Sequence, residues 1–82
     1  MMPLDQIFAK LTDVLRDVFD DDTLVATPEL TASDVGGWDS FAHLRVIFTV
    51  ENEFRVSFSA SQMSSLKNVG ELAELIQAKL AR

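Results

Sequence analysis

The sequence predicts an all-α protein, a four-helix bundle of three longer helices and one short third helix, with a long first loop. Three observations support this fold class. Apolar residues recur at spacings of three and four, Val and Thr form no alternating runs, and only two prolines and three glycines interrupt the chain. Of the 82 residues 48% are apolar, enough for a modest core near the lower size limit for folding alone. We expect one domain over residues 1–82.

The first helix is predicted over residues 4–19, because its apolar residues share one helical face. They are Leu4, Ile7, Phe8, Leu11, Val14, Leu15, Val18 and Phe19. The run Asp20-Asp21-Asp22 ends the helix, since like charges are unfavourable at its negative end. We interpret this run as a solvated acidic turn, because a calcium loop needs alternating ligands, a glycine and a distal Glu. No metal site is predicted.

Residues 20–39 are predicted to be an irregular connection, and loops of this length are usually functional or disordered. Thr27-Pro28-Glu29 can form a short turn within it. Spaced apolar residues indicate that the connection packs across the bundle; they are Leu24, Val25, Leu30, Val35 and Trp38.

The second helix is predicted from about Asp39 or Ser40 to Phe54, and its apolar residues cover too much of the circumference for one buried stripe. We assign Val46, Ile47, Val50 and Phe54 to the core. Phe41, Leu44 and Phe48 form a second stripe on the side of Arg45 and Asn52. This second stripe is a candidate docking surface for a partner. The alternative is that the bundle covers both stripes.

The rest of the chain contains two predicted helix starts. Ser59-x-x-Gln62 is typical of a capping box and predicts a short third helix over residues 60–64, with Met63 and Leu66 folding onto the core. Asn68-x-x-Glu71 predicts the start of the last helix in the same way. The predicted buried side of that helix consists of Val69, Leu72, Leu75, Ile76 and Leu80.

The stretch Gly36-Gly37-Trp38-Asp39-Ser40-Phe41 joins a flexible turn to the second helix. It should place Ser40 at a helix start on the rim of the loop, where a hydroxyl can be reached by another protein. Gly37-x-Asp39-Ser40-Phe41 resembles the Gly-x-Asp-Ser-Leu signature of acyl carrier proteins and peptidyl carrier domains. Phe41 departs from the usual Leu, and Trp38 is more typical of free-standing carriers in biosynthetic clusters.

This resemblance covers nearly the whole chain and implies a single carrier domain over residues 1–82. Ser40 would receive 4′-phosphopantetheine from coenzyme A, and Asp39 would help the transferase to recognise the site. The arm would hold an acyl or aminoacyl cargo as a thioester. Implied partners are a phosphopantetheinyl transferase, a loading ligase or acyltransferase, and a downstream synthase or transferase. The alternative from another class is a cofactor-free helical protein-interaction module.

The alternative in which this protein is an enzyme is a hydrolase with Asp39, Ser40 and His43 as its catalytic triad. We consider it less favoured than a carrier. The motif shows no nucleophile elbow, and so small a bundle suggests no substrate pocket. We therefore predict no catalytic residues. We expect His43 to be partly buried and hydrogen-bonded, and Trp38 to anchor its own loop on the bundle.

Charge is unevenly distributed, with a net value of −6. Residues 1–39 hold nine acidic and two basic side chains, whereas residues 40–82 hold four acidic and five basic ones. Such acidity argues against nucleic-acid partners. The start of the chain has neither a basic region nor a long apolar run, so we expect no signal peptide or membrane anchor, and a cytoplasmic monomer. Typical fatty-acid carriers have a strongly acidic second helix, whereas this one presents Arg45 on its docking side.

Overall fold

The computed structural model describes residues 2–81 and consists of four α-helices. They are α1 (Leu4–Phe19), α2 (Ser40–Phe54), α3 (Ala60–Ser65) and α4 (Val69–Leu80), with a 3₁₀ turn at Ala32–Asp34. No strand occurs between residues 2 and 81, so the predicted fold class is confirmed. Met1 and Arg82, the ends of the predicted domain, lie outside the described residues. No helix in the described part is long and apolar enough to cross a membrane.

Helix α1 has the predicted bounds. Pro3 precedes it with a φ of −67°, which suits a residue that has no N–H to leave unpaired. Asp20 ends it in the left-handed conformation (φ 51°), and the Asp21 N–H donates to the Arg16 carbonyl at 3.1 Å. The acidic run is a hydrogen-bonded turn, because the Asp21 carboxylate accepts from the Thr23 hydroxyl at 2.6 Å and the Thr23 N–H at 2.9 Å. These bonds, the hydroxyl's first, lower the pKa of Asp21.

The core lies where α1 packs against both α2 and α4. Its most deeply buried large side chains are Ile7, Leu11, Leu15, Val46, Val50, Ile47 and Ile76. Two details of α4 differ from the prediction. Leu75 and Leu80 are only half-buried at the margin of the core, whereas Ala73 is fully buried. A methyl side chain lets α4 approach its neighbours closely, and apolar spacing alone gave Ala73 no weight.

The first loop packs along the bundle, as its apolar residues predicted. Arg16 Nε donates to the Leu24 carbonyl at 2.8 Å, and the Ala26 N–H donates to Thr12 Oγ1 at 2.9 Å. The prediction for Val25 was wrong, because its side chain is 53% exposed while the neighbouring Ala26 is buried. Successive side chains of extended backbone point to opposite sides, so only one of these two neighbours can face the core.

The middle of the same loop is joined to the start of α4. The N–H groups of Val69 and Gly70 donate to the carbonyls of Leu30 at 2.8 Å and Pro28 at 3.0 Å. These donors have no partner within the helix, so the loop satisfies them. A Cβ on Gly70 would stand 2.8 Å from the Pro28 oxygen. Glycine is therefore required where the loop crosses α4.

The second half of the chain begins its helices largely as predicted. Ser59 and Gln62 form the expected capping box, and α3 ends at Ser65, one residue beyond the prediction. Asn68 caps α4 by accepting from the Glu71 N–H at 2.8 Å. Here the expected reciprocal bond does not form, because the Glu71 carboxylate accepts from the Lys67 N–H at 3.0 Å. Glu71 thus holds the backbone of Lys67, in the link before α4, and does not bond to the backbone of the cap residue Asn68.

Candidate functional site

A tight turn delivers the chain to the start of α2. The Trp38 N–H donates to the Val35 carbonyl at 3.3 Å, and Gly37 at the third position has a φ of +87°. Only glycine adopts that conformation without strain. The turn therefore depends on Gly37 and sets the direction from which α2 begins.

Asp39 is the N-cap of α2. Its carboxylate accepts from the Ala42 N–H at 2.9 Å, and its carbonyl accepts from the His43 N–H at 2.9 Å. Ser40 is then the first residue of the helix, exposed to solvent, and its hydroxyl makes no hydrogen bond to any of residues 2–81. The sequence left open which of the two residues starts α2; the structure divides the roles, so capping leaves the serine hydroxyl unoccupied.

Trp38 anchors the turn, as predicted. Its half-buried ring lies 5.3 Å from the Phe19 ring at the end of α1, measured between centroids. On the other side it stacks on the His43 ring at 6.2 Å. The residue two positions before Ser40 is therefore packed between α1 and α2.

His43 is partly buried and hydrogen-bonded through both ring nitrogens, which confirms the prediction for this side chain. Trp38 Nε1 donates to Nδ1 at 3.2 Å, and Nε2 lies 3.0 Å from the Met63 carbonyl oxygen. Because the indole can only donate, Nδ1 must accept and Nε2 carries the proton. Neither nitrogen is directed to Ser40, so the geometry does not form a Ser-His pair.

An apolar cleft of about 440 Å³ opens beside Ser40. The expectation that so small a bundle has no pocket was wrong. The cleft forms because the starts of α2 and α4 and the body of α3 meet there, and no local pattern reports such a meeting. Its lining residues are Leu30, Ala32, Trp38, Asp39, Ser40, His43, Met63, Ser64, Leu66, Lys67, Asn68, Val69 and Leu72.

The outer face of α2 carries the second predicted stripe, and the structure confirms that the bundle leaves it uncovered. Phe41 is 73% exposed, Phe48 55% and Leu44 41%, while Val46 and Ile47 are fully buried. Arg45 is exposed on the same face. Within residues 2–81 the one ion pair joins Lys10 to Glu53 at 3.5 Å, so Arg45 has no acidic partner there. We call Phe41, Leu44, Arg45 and Phe48 the outer patch.

No protein-family model matches the chain, and no curated protein matches it significantly. Among solved structures, the chain is similar to the solution structure of a holo acyl carrier protein from Geobacter metallireducens, with a TM-score of 0.87. The two sequences are 42% identical over 93% of this chain and 87% of the other. Identity at this level over nearly the full length of both chains, together with the shared helical fold, shows that this chain belongs to the acyl carrier protein family.

Proposed function

We propose that this protein is a carrier whose Ser40 holds a 4′-phosphopantetheine arm. The observation that supports the proposal most directly is the exposed hydroxyl of Ser40. Ser40 is the first residue of α2, and the helix is capped by Asp39 instead. The family to which the chain belongs and the holo state of its relative agree with it. The arm's terminal thiol then carries an acyl or aminoacyl group as a thioester.

The setting of Ser40 suits the modification reaction. Its Oγ bonds to the phosphorus that bears pantetheine, the diphosphate bond of coenzyme A breaks, and adenosine 3′,5′-bisphosphate leaves. The hydroxyl proton passes to a base of the transferase. A serine on a defined helix start can be held in line for this displacement. The phosphodiester formed is then stabilised by the positive end of α2. Asp39 caps this end of the helix and is recognised by the transferase.

The carrier itself does no chemistry in this proposal and presents its cargo to enzymes in turn. Its partners are the phosphopantetheinyl transferase, a loading ligase or acyltransferase, and a downstream synthase or transferase. It acts as a monomer in the cytoplasm, where these enzymes work, and needs neither nucleic acid nor a membrane.

The modification is tested by intact-mass measurement after incubation with coenzyme A and a broad-range phosphopantetheinyl transferase. We expect one phosphopantetheinyl addition on the wild-type protein and none on Ser40→Ala. Ser64→Ala is the matched control, because Ser64 is also exposed and lines the same cleft. It should be modified as the wild type is.

Two results would contradict the proposal. Modification of Ser40→Ala would place the arm elsewhere. A folded wild-type protein that several transferases leave unmodified would favour the cofactor-free helical interaction module instead, since the outer patch can dock a partner without any arm.

We further propose that the enzymes dock on the outer patch of α2. Ser40 begins the helix that carries the patch, so a partner seated on it has the arm within reach. Buried apolar contact is not screened by salt, whereas exposed charge pairs contribute little and are screened. Between Ser40 and Val50 the only formal charge is Arg45. The fitting partner surface is therefore an apolar groove with an acidic side chain facing Arg45, and a basic groove is disfavoured.

The docking proposal is tested with the loading enzyme that acylates the holo protein. Phe48→Ala should raise the KM of loading about tenfold or more, because a central apolar anchor is lost. Val25→Ala is the matched control, with a nearly equal exposed fraction (53% against 55%) but a place on the first loop. Arg45→Glu should also weaken loading, and added salt should change it only modestly. A steep salt dependence, or indifference to Phe48→Ala, would refute this surface.

A further inference from the structure

We propose that His43 is a positioning residue for the Ser40 site, and that it holds the site only while its imidazole is neutral. The imidazole joins the turn before Ser40 to α3 on the far side of the cleft. Its effect on modification rests on the proposed function of Ser40. Its effect on the turn does not, and the two can be measured separately.

Three elements meet at this ring. His43 lies in the first turn of α2, Trp38 belongs to the loop, and Met63 belongs to α3. All three residues line the cleft beside Ser40. The bond from Trp38 Nε1 to His43 Nδ1 spans 3.2 Å, and the contact from His43 Nε2 to the Met63 oxygen spans 3.0 Å. One side chain thus connects two walls of the cleft to the helix that carries Ser40.

The hydrogen bond from His43 Nε2 satisfies a Met63 carbonyl oxygen that has no partner within α3. It lies in the last turns of α3, where carbonyl oxygens lose their partners four residues on. The N–H that would have reached it belongs to Lys67 and donates to the Glu71 carboxylate instead, at 3.0 Å. The Nε2 proton of His43 therefore satisfies an oxygen that the helix leaves unpaired.

The Trp38 contact requires a neutral imidazole. The indole N–H can only donate, so Nδ1 must keep its lone pair. When a solvent proton binds Nδ1, two N–H groups face each other and the bond is lost. Histidine is the side chain that ordinarily changes charge between about pH 5 and 8, and this chain has only one.

The surroundings contain two other titratable groups that line the same cleft, Asp39 at the start of α2 and Lys67 before α4. They carry opposite charges, and the Asp39 carboxylate is already bonded to the Ala42 N–H. On the side of α1, the group packed on Trp38 is the apolar ring of Phe19. Among residues 2–81 no acidic group is bonded to the imidazole, and the hydrogen bond from Trp38 Nε1 is the contact that protonation breaks.

Loss of that contact reaches Ser40 through the backbone. Trp38 precedes the cap Asp39 directly, and its ring holds the Gly36–Gly37 turn against the bundle. When the indole loses this hydrogen bond, the turn becomes more mobile. The Ser40 hydroxyl then spends a smaller fraction of the time in the position that the transferase needs for modification. We therefore expect modification of Ser40 to slow as His43 becomes charged.

The first measurement follows the contact itself on the unmodified protein. Trp38 is the only tryptophan and His43 the only histidine, so each can be observed without interference. Trp38 fluorescence and the His43 ring signals in NMR are recorded between about pH 8 and pH 5. We expect both to change with one midpoint in the wild type, and the fluorescence to stay constant in His43→Gln, which offers amide donors and an acceptor but does not titrate. Constant wild-type fluorescence across the titration of the ring would overturn the proposal.

The second measurement compares the rates at which a broad-range transferase modifies the wild type, His43→Gln and His43→Leu. Loss of the hydrogen bonds should lower kcat/KM for His43→Leu by about threefold to tenfold, with His43→Gln restoring most of it. The kcat/KM of the wild type divided by that of His43→Gln should fall by a similar factor between about pH 8 and pH 5. Because both values are measured with the same transferase, the pH response of that enzyme cancels in the ratio. Equal rates for all three proteins at every pH would overturn the proposal.

The two measurements separate the possible failures. If no protein is modified, the function proposed for Ser40 fails, while the fluorescence and NMR titration still decides the role of His43. If His43→Leu does not fold, the comparison of wild type with His43→Gln across pH still gives a decision.

Discussion

Both faces of α2 carry large apolar side chains, but the two faces lie in opposite environments. The inner face buries Val46, Ile47 and Val50 completely, while the outer face leaves the rings of Phe41 and Phe48 more than half exposed. The difference arises because α1 packs on one side of α2 only, and α4 packs on α1. An apolar residue on this helix is therefore a core residue only where a neighbour covers it. An apolar face left uncovered is available to a partner.

The largest effect expected from this contrast is on stability. Ile47→Ala should lower the free energy of unfolding by about 2–5 kcal/mol, because it leaves a cavity among fully buried neighbours. Phe48→Ala should cost less than about 1 kcal/mol despite removing a larger side chain. Urea denaturation of both variants measures the difference. Similar losses at the two positions would show that the outer face is covered in solution.

The next effect concerns the contact between the first loop and α4 rather than α2. Gly70→Ala should cost about 1–3 kcal/mol, because its Cβ would press on the Pro28 carbonyl, which belongs to backbone and cannot swing away. Gly36→Ala is the matched control, since a Cβ there meets nothing within 4 Å. Thermal melts of the pair should separate clearly. Equal melting temperatures would mean that the loop is not held against α4 as closely as the 3.0 Å bond between Gly70 and Pro28 indicates.

The smallest expected effect distinguishes two adjacent residues at the start of α2. Asp39→Ala should cost about 0.5–2 kcal/mol, because the Ala42 N–H loses its cap. Ser40→Ala should change stability by less than about 0.5 kcal/mol, since its hydroxyl bonds to none of the described residues. Urea denaturation of each variant is the measurement. A large loss for Ser40→Ala would assign the serine a structural role and weaken the functional one.

Local patterns were enough for the helices and for the division of α2. The bounds of α1, the caps at Ser59 and Asn68 and the two stripes of α2 follow from helical periodicity and from side chains that bond to nearby backbone. The motif around Ser40 was readable for the same reason, because a turn glycine, a cap and an exposed hydroxyl are adjacent in the chain. The sequence could therefore place the candidate site at the start of a helix.

The features that join distant segments depend on how the folded chain packs. The cleft beside Ser40 needs α3 and the start of α4, and the 3.0 Å contact between His43 and Met63 joins residues 20 positions apart. Burial of Ala73, exposure of Val25 and the close approach at Gly70 likewise depend on which neighbour arrives at each surface. Propensity and periodicity report what a segment prefers by itself. Contact between segments is set by how the whole chain packs, and that information is not carried by any one stretch of it.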